Sequence, residues 1–252
     1  MFMAILDDNF FIVSLLLVVV WGFLWGIILN TLAYKKVLRI LYEECDPKRF
    51  ITYCKQIIRQ KSVTKIALEE LRLHLCKALL DEGNYKEARE VLNMVDGFYL
   101  NESKQPKPKK NIYIYKVYIL HSLIAIHVCN KDFETARKVF DNMKEYIFNA
   151  RILSIHHSFV MNLLTLDFLY INFLEGDIEN QEESVELVEM LYNFDYEKAS
   201  NNFERVSAMF MLGVIYVRSK KFNEAKKAFE YVATKGNKLS IVSTAKTYLE
   251  KI

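Results

Sequence analysis

A ten-residue phrase recurs along this chain, and no other feature restricts its fold as much. KKFNEAKKAF (220–229), GNYKEAREVL (83–92) and KDFETARKVF (131–140) share one pattern, and GDIENQEESV (176–185) is a fainter copy. Aligned on Ala88, Ala136, Gln181 and Ala225, the copies lie 48, 45 and 44 residues apart. Tyr85, Phe133, Ile178 and Phe222 stand three positions earlier, and Leu92, Phe140, Val185 and Phe229 four positions later. Positions i, i+3 and i+7 share one helical face, so these side chains are predicted to point inward. The alanine is small because another helix must come close there.

A turn signal precedes each copy: Gly83-Asn84, Asn130-Lys131-Asp132, Gly176-Asp177 and Ser219-Lys220-Lys221. Each phrase is therefore the second helix of a pair. The first helices are the apolar stretches upstream, 67–82, 114–129, 158–175 and 204–219. They carry apolar residues on more than one face, so neighbours must cover them on both sides. Stacked helix pairs supply that cover. Only seven Gly and three Pro in 252 residues agree with an all-α chain.

The fourth unit, with Leu212, Gly213, Tyr216, Phe222, Ala225 and Phe229, resembles a tetratricopeptide repeat. In that family a small residue on the first helix faces the alanine of the second, and Gly213 and Ala225 hold those positions. Cys76, Ile124 and Leu169 stand at the small position in the other units, and Gln181 replaces the alanine in the third. The period exceeds the usual 34 residues by about ten. The resemblance covers 65–252 and implies a right-handed α-solenoid of about four helix pairs. Residues 47–60 read as a flanking amphipathic helix, with Asp46 as N-cap and Pro47 at its first position. Residues 240–252 read as a capping helix, with Ile241, Ala245, Tyr248, Leu249 and Ile252 on one side. NESKQPKPKKN (101–111) reads as an exposed basic linker.

Residues 9–34 form an uncharged, largely apolar run of 26 residues. A helix needs about 20 to cross a bilayer. The preceding residues 1–8 carry Asp7 and Asp8 and no basic side chain, unlike a signal peptide. A single transmembrane helix is therefore expected. Lys35, Lys36 and Arg39 open a basic juxtamembrane segment, 35–46. By the positive-inside rule the N-terminus lies outside and the repeats in the cytoplasm of a cell membrane. Gly22 and Gly26 form a GxxxG that offers a dimer seam, although glycine is common in membrane helices anyway. Richness in Lys, Ile and Asn points to a bacterial, AT-rich genome.

Cys45, Cys54, Cys76 and Cys129 form no CxxC pair and no zinc-spaced cluster, and they read as small buried hydrophobes in a reducing compartment. With 34 basic and 31 acidic residues the chain carries +3, too balanced for a nucleic-acid binder. Phosphate-loop, dinucleotide, zinc-protease, nucleophile-elbow and EF-hand motifs are missing. His156-His157, His121 and His127 do not share helical faces, and the acidic run 175–190 reads as a solvated helix face. No catalytic residue, metal or cofactor is expected.

What remains is a binding surface. In the resembled family the first helix of each pair lines a concave groove. Carried over, the groove positions are Tyr118, His121, Ala125 and Val128; Leu163, Leu166, Tyr170 and Phe173; and Phe210, Val214, Val217 and Arg218. The family's Lys/Asn/Arg clamp for a peptide carboxylate is missing. The resemblance thus implies a membrane-anchored scaffold or adaptor that binds a protein or peptide partner, such as an amphipathic helix, through a largely apolar groove. An outward-facing factor for envelope assembly, and a small-molecule sensor or divergent enzyme using the groove, are the alternatives.

Overall fold

The computed structural model describes residues 20–21, 31–60, 64–103, 112–149, 164, 167, 171 and 182–252. The chain divides into two compact units, Met1–Arg39 and Ile40–Ile252. In the first, residues 31–39 are helical. Among the described residues no helix is long and apolar enough to cross a membrane. Most of the expected span 9–34, with Gly22 and Gly26, lies outside them, as do linker residues 104–111.

The described part of the second unit is helical: α1 (Pro47–Gln60), α2 (Lys65–Asp81), α3 (Tyr85–Ser103), α4 (Ile112–Cys129), α5 (Phe133–Asn149), α6 (Glu182–Lys198), α7 (Asn202–Arg218), α8 (Phe222–Lys235) and α9 (Ser240–Leu249). Leu164, Asp167 and Ile171 are helical residues between α5 and α6. Helices adjacent in sequence pack on one another, α1 on α2, α2 on α3, α3 on α4, α4 on α5, α6 on α7, α7 on α8 and α8 on α9. α1 starts as expected, with Asp46 Oδ1 accepting the Arg49 N–H at 3.1 Å.

The recurring phrase has a recurring backbone. Gly83, Lys131 and Lys220 all adopt left-handed φ, at 72°, 59° and 59°. The next residue donates its N–H five positions back each time: Asn84 to Leu79, Asp132 to His127 and Lys221 to Tyr216, at 2.8–2.9 Å. This is the Schellman helix stop, which satisfies carbonyls left over at a helix end. The following helix then begins at once, at Tyr85, Phe133 and Phe222. The same residue that ends one helix caps the next: Asn84 Oδ1 accepts the Glu87 N–H and Asp132 Oδ1 the Thr135 N–H. Lys221 makes no such side-chain cap.

Ala88, Ala136 and Ala225 are all fully buried, and so are Leu92 and Phe229. The leading aromatic departs from its expected inward direction. Tyr85 and Phe133 are half-buried and Phe222 is 50% exposed. A side chain in the first turn of a helix leans back toward its N-terminus, which here is the solvent-facing turn. Gly213 lies against the Phe229 ring, where a Cβ would meet the ring carbons at 2.6–2.9 Å. That ring stacks on Tyr248 at 4.7 Å between centroids and meets Phe210 edge-on at 6.0 Å. In the middle of the array, Val117, Leu120, Ile124 and Val128 of α4 join Ala136, Met143 and Ile147 of α5 and Leu164 and Ile171 in one core. Ile119 and Ile126, on the other side of α4, are buried too, as a helix covered from both sides requires. On α9 the buried residues are Val242 and Ala245, and Ile252 is 40% exposed rather than packed with the expected face.

The two ends of this unit meet. Lys238 donates its N–H to the Cys45 carbonyl at 3.1 Å and its ammonium to Asp46 Oδ2 at 2.6 Å. Asn237 Nδ2 donates to the Glu44 carbonyl at 2.6 Å, and Asn202 Nδ2 to the Glu43 carbonyl at 3.4 Å. Ser240 donates its N–H to Asp81 Oδ2 at 3.2 Å. The turn before α9 is thus fastened to the turn before α1, and the array closes on itself.

Candidate functional site

Closure brings side chains of α2, α4 and α7 toward one another. The Lys77 ammonium of α2 sits 4.6 Å from the centroid of Phe203, on α7, and 5.1 Å from that of Tyr42. Tyr42 meets Phe203 edge-on at 6.0 Å, and its hydroxyl lies 2.7 Å from His74 Nδ1. Burial lowers the pKa of His74 to about 4, and Lys77 beside it adds to this. Burial also lowers the pKa of Lys77, against the pull of Glu204 and Asp81. Among the described residues Lys77 has no hydrogen-bond or ion-pair partner; its contacts are the two ring faces.

From α4, His121 Nδ1 pairs with Asp167 Oδ1 at 2.8 Å. Burial opposes the charge on His121, but the Asp167 carboxylate outweighs it and raises the pKa. Asp167 is only 2% exposed, and its Oδ2 has no partner among the described residues. Tyr192 of α6 is raised by burial and then by the nearby carboxylates of Asp195 and Asp167. Asp195 is half-buried; burial raises its pKa, and Glu204 adds to that. It has no hydrogen-bond partner among the described residues. Glu204 is tied down at the start of α7, its Oε2 accepting the Ser200 N–H at 3.0 Å. Tyr118 of α4 stands near it, its phenol raised by burial and then by Glu204.

The groove residues predicted from the family resemblance divide accordingly. Tyr118 and His121 belong to this converging set. Val128 is 3% exposed and part of the core, so it is not available to a ligand. Val214 is buried, and Phe210 is half-buried against Phe229. Ala125 and Val217 are half-buried and Arg218 is exposed. Leu163, Leu166, Tyr170 and Phe173 lie outside the described residues. The converging face is not only apolar, because Lys77, Asp167, Asp195 and Glu204 were not foreseen. Two of them carried a legible signal: Lys77 in LCKALL and Asp167 in LTLDFL are lone charges inside apolar helix segments.

Three cysteines, Cys45, Cys54 and Cys76, are buried as expected, and Cys129 is exposed. Burial pushes the thiols of Cys45 and Cys76 up to about 11 and about 12, so both stay protonated. Among the described residues no three His, Cys, Asp or Glu side chains group closely enough to hold a metal ion. A depression of about 570 Å³ lies along α6, lined by Glu186, Glu189, Met190, Asn193, Glu197 and Lys221. Its Lys221 is already paired with Glu189 at 2.7 Å.

No family model, curated protein or solved structure matches the chain.

Proposed function

We propose that this chain is a membrane-anchored, tetratricopeptide-like scaffold or adaptor, whose inner helix face holds a protein or peptide partner at the cytoplasmic surface of the membrane. The observation that carries this reading is the convergence of Lys77, Tyr118, His121, Asp195 and Glu204 from four different helices. These side chains sit apart from the buried alanines and large apolar residues that hold the helix pairs together, and Lys77 and Asp195 make no hydrogen bond among the described residues. The shared turn geometry at 83, 131 and 220 supports the repeat assignment. The anchor and its orientation rest on the uncharged run 9–34 and on Lys35, Lys36 and Arg39. Confinement to a membrane raises the effective concentration of a scaffold and its partner.

Photo-crosslinking in intact cells tests the reading. A benzophenone amino acid at position 118 should trap a protein adduct, whereas one at Phe148, which is 57% exposed elsewhere on the array, should not. Equal trapping at both, or none at 118, overturns the inner-face assignment. For orientation, a cysteine tag at the C-terminus should stay unlabelled by a membrane-impermeant thiol reagent until the cells are lysed.

A further inference from the structure

The charge of the chain is unevenly placed. Residues 35–66 hold nine basic side chains against three acidic ones, whereas 67–252 hold 25 against 26. α1 lies inside the basic stretch and carries Lys48, Arg49, Lys55 and Arg59 with no acidic residue. Its two sides differ. Pro47, Phe50 and Cys54 are buried, and α1 packs on α2. Lys48, Arg49, Thr52, Tyr53, Gln56 and Arg59 are exposed. Their spacing places them on one stripe along the helix. The cations on this stripe are loosely held. The Lys48 side chain is 76% exposed, with its ammonium 3.6 Å from Glu82. Arg49 pairs with Glu44 at 2.9 Å, and its guanidinium carbon lies 5.8 Å from the Tyr53 ring centroid. Arg59 has no ion-pair partner among the described residues. Exposed pairs of this kind hold their partners weakly, so the cations stay available to another anion.

We infer that the open stripe of α1 lies against an anionic bilayer surface. Lys48, Arg49 and Arg59 meet the negative lipid headgroups, and Tyr53 enters the headgroup layer, where tyrosine is favoured. This rests on the anchored reading above and adds an electrostatic contact to it. The cytoplasmic leaflet supplies the anionic lipid. The chain itself favours a bilayer over an acidic protein as the occupant. Thirteen peptide links separate Tyr34, which ends the uncharged run, from Pro47. They keep the start of α1 within about 45 Å of that run. A surface within reach of such a tether is met at high effective concentration, whereas a separate protein is not.

The test uses the full chain reconstituted in two sets of vesicles, one of phosphatidylcholine and one of phosphatidylcholine mixed with phosphatidylglycerol. A benzophenone amino acid replaces Gln56, an uncharged residue on the stripe, or Phe148 as the control. Phospholipid adducts are counted by mass spectrometry after irradiation. Position 56 should take lipid in the anionic vesicles, and position 148 should not. Lys48→Glu combined with Arg59→Glu should cut the yield at position 56 by about fivefold or more. The charge-conserving pair Lys48→Arg and Arg59→Lys should keep it. Salt at ~1 M, where the screening length is about 3 Å, should lower the yield without any substitution, so the outcome does not hang on how a variant folds. No lipid at position 56, equal yields at 56 and 148, or a yield indifferent to both phosphatidylglycerol and salt overturns the inference. An alkaline carbonate wash reports on the anchor separately. A chain that stays in the vesicles while position 56 takes no lipid loses this inference alone. A chain that washes off overturns the anchored reading, and this inference with it.

Discussion

At the turns around Gly83, Lys131 and Lys220, polar groups find partners within their own few residues. Carbonyls ending one helix accept N–H groups of the turn, and Asn84 or Asp132 caps the next helix. On the inner face, Lys77, Asp195 and one oxygen of Asp167 are left without hydrogen-bond partners among the described residues. The turns repeat along the chain; the inner residues do not. Repetition therefore marks what stacking needs, and the departures from it mark the face on which the proposed partner would be met. Substitutions on the packing side should move stability, and those on the inner face should move binding or titration.

Phe229→Ala is the severest test of the packing side. The ring is fully buried, stacked on Tyr248 and seated on Gly213, so its loss should cost about 3–5 kcal/mol in urea unfolding. A cost under about 1 kcal/mol would show that the fourth pair is not held as described. Titration of the inner face should come next in size. His74 should titrate near pH 4 by NMR, and His121 above its ordinary value of about 6.5. The signs oppose each other. The folded-state pKa of His74 is depressed, so its contribution is fully present above pH 6.5 and lost as pH falls toward 4. That of His121 is raised, so its contribution is fully present below pH 6.5 and lost as pH rises through the folded value. The His74 difference alone corresponds to about 3 kcal/mol at most. Two histidines titrating together near 6.5 would mean that the inner face is open water.

Gly213→Ala should cost about 1–3 kcal/mol, because a Cβ there collides with the Phe229 ring. Combined with Phe229→Leu, the cost should shrink, which would tie the two positions to one contact. The smallest effect should be a gain. Lys220→Gly relieves a left-handed lysine and should stabilise the fold by up to about 1 kcal/mol in thermal unfolding. Gly83→Ala at the equivalent turn should lose a similar amount. If both changes are neutral, the shared turn geometry has no energetic weight.

Much of the helical order was legible because it is local. Ala88, Ala136 and Ala225 are buried as their spacing predicts, and Asp46 caps α1 as its place before Pro47 predicts. The direction of Phe222 was misread because helical phase alone does not say that a first-turn side chain leans over the turn. The inner face was only partly legible. Tyr118 and His121 came from the groove positions that the family resemblance implies. Lys77, Asp195 and Glu204 are more than 100 residues apart at the extremes, and only the closing of the array brings them together. No local period encodes that closure. The lone charges Lys77 and Asp167 in apolar helices were the visible trace of it.

The fastening of Lys238 to Asp46 joins residues 192 positions apart. At about 5–20 residues per second of synthesis, roughly 10–40 s pass between the emergence of the two. From their own synthesis until α7 follows, Tyr42, Lys77 and the faces of α2 and α4 that meet it wait without the helix that will cover them. Such long-range contacts form late and slowly. The nascent chain therefore presents a half-built, adhesive cradle to its surroundings until α7 and the turn before α9 have been made.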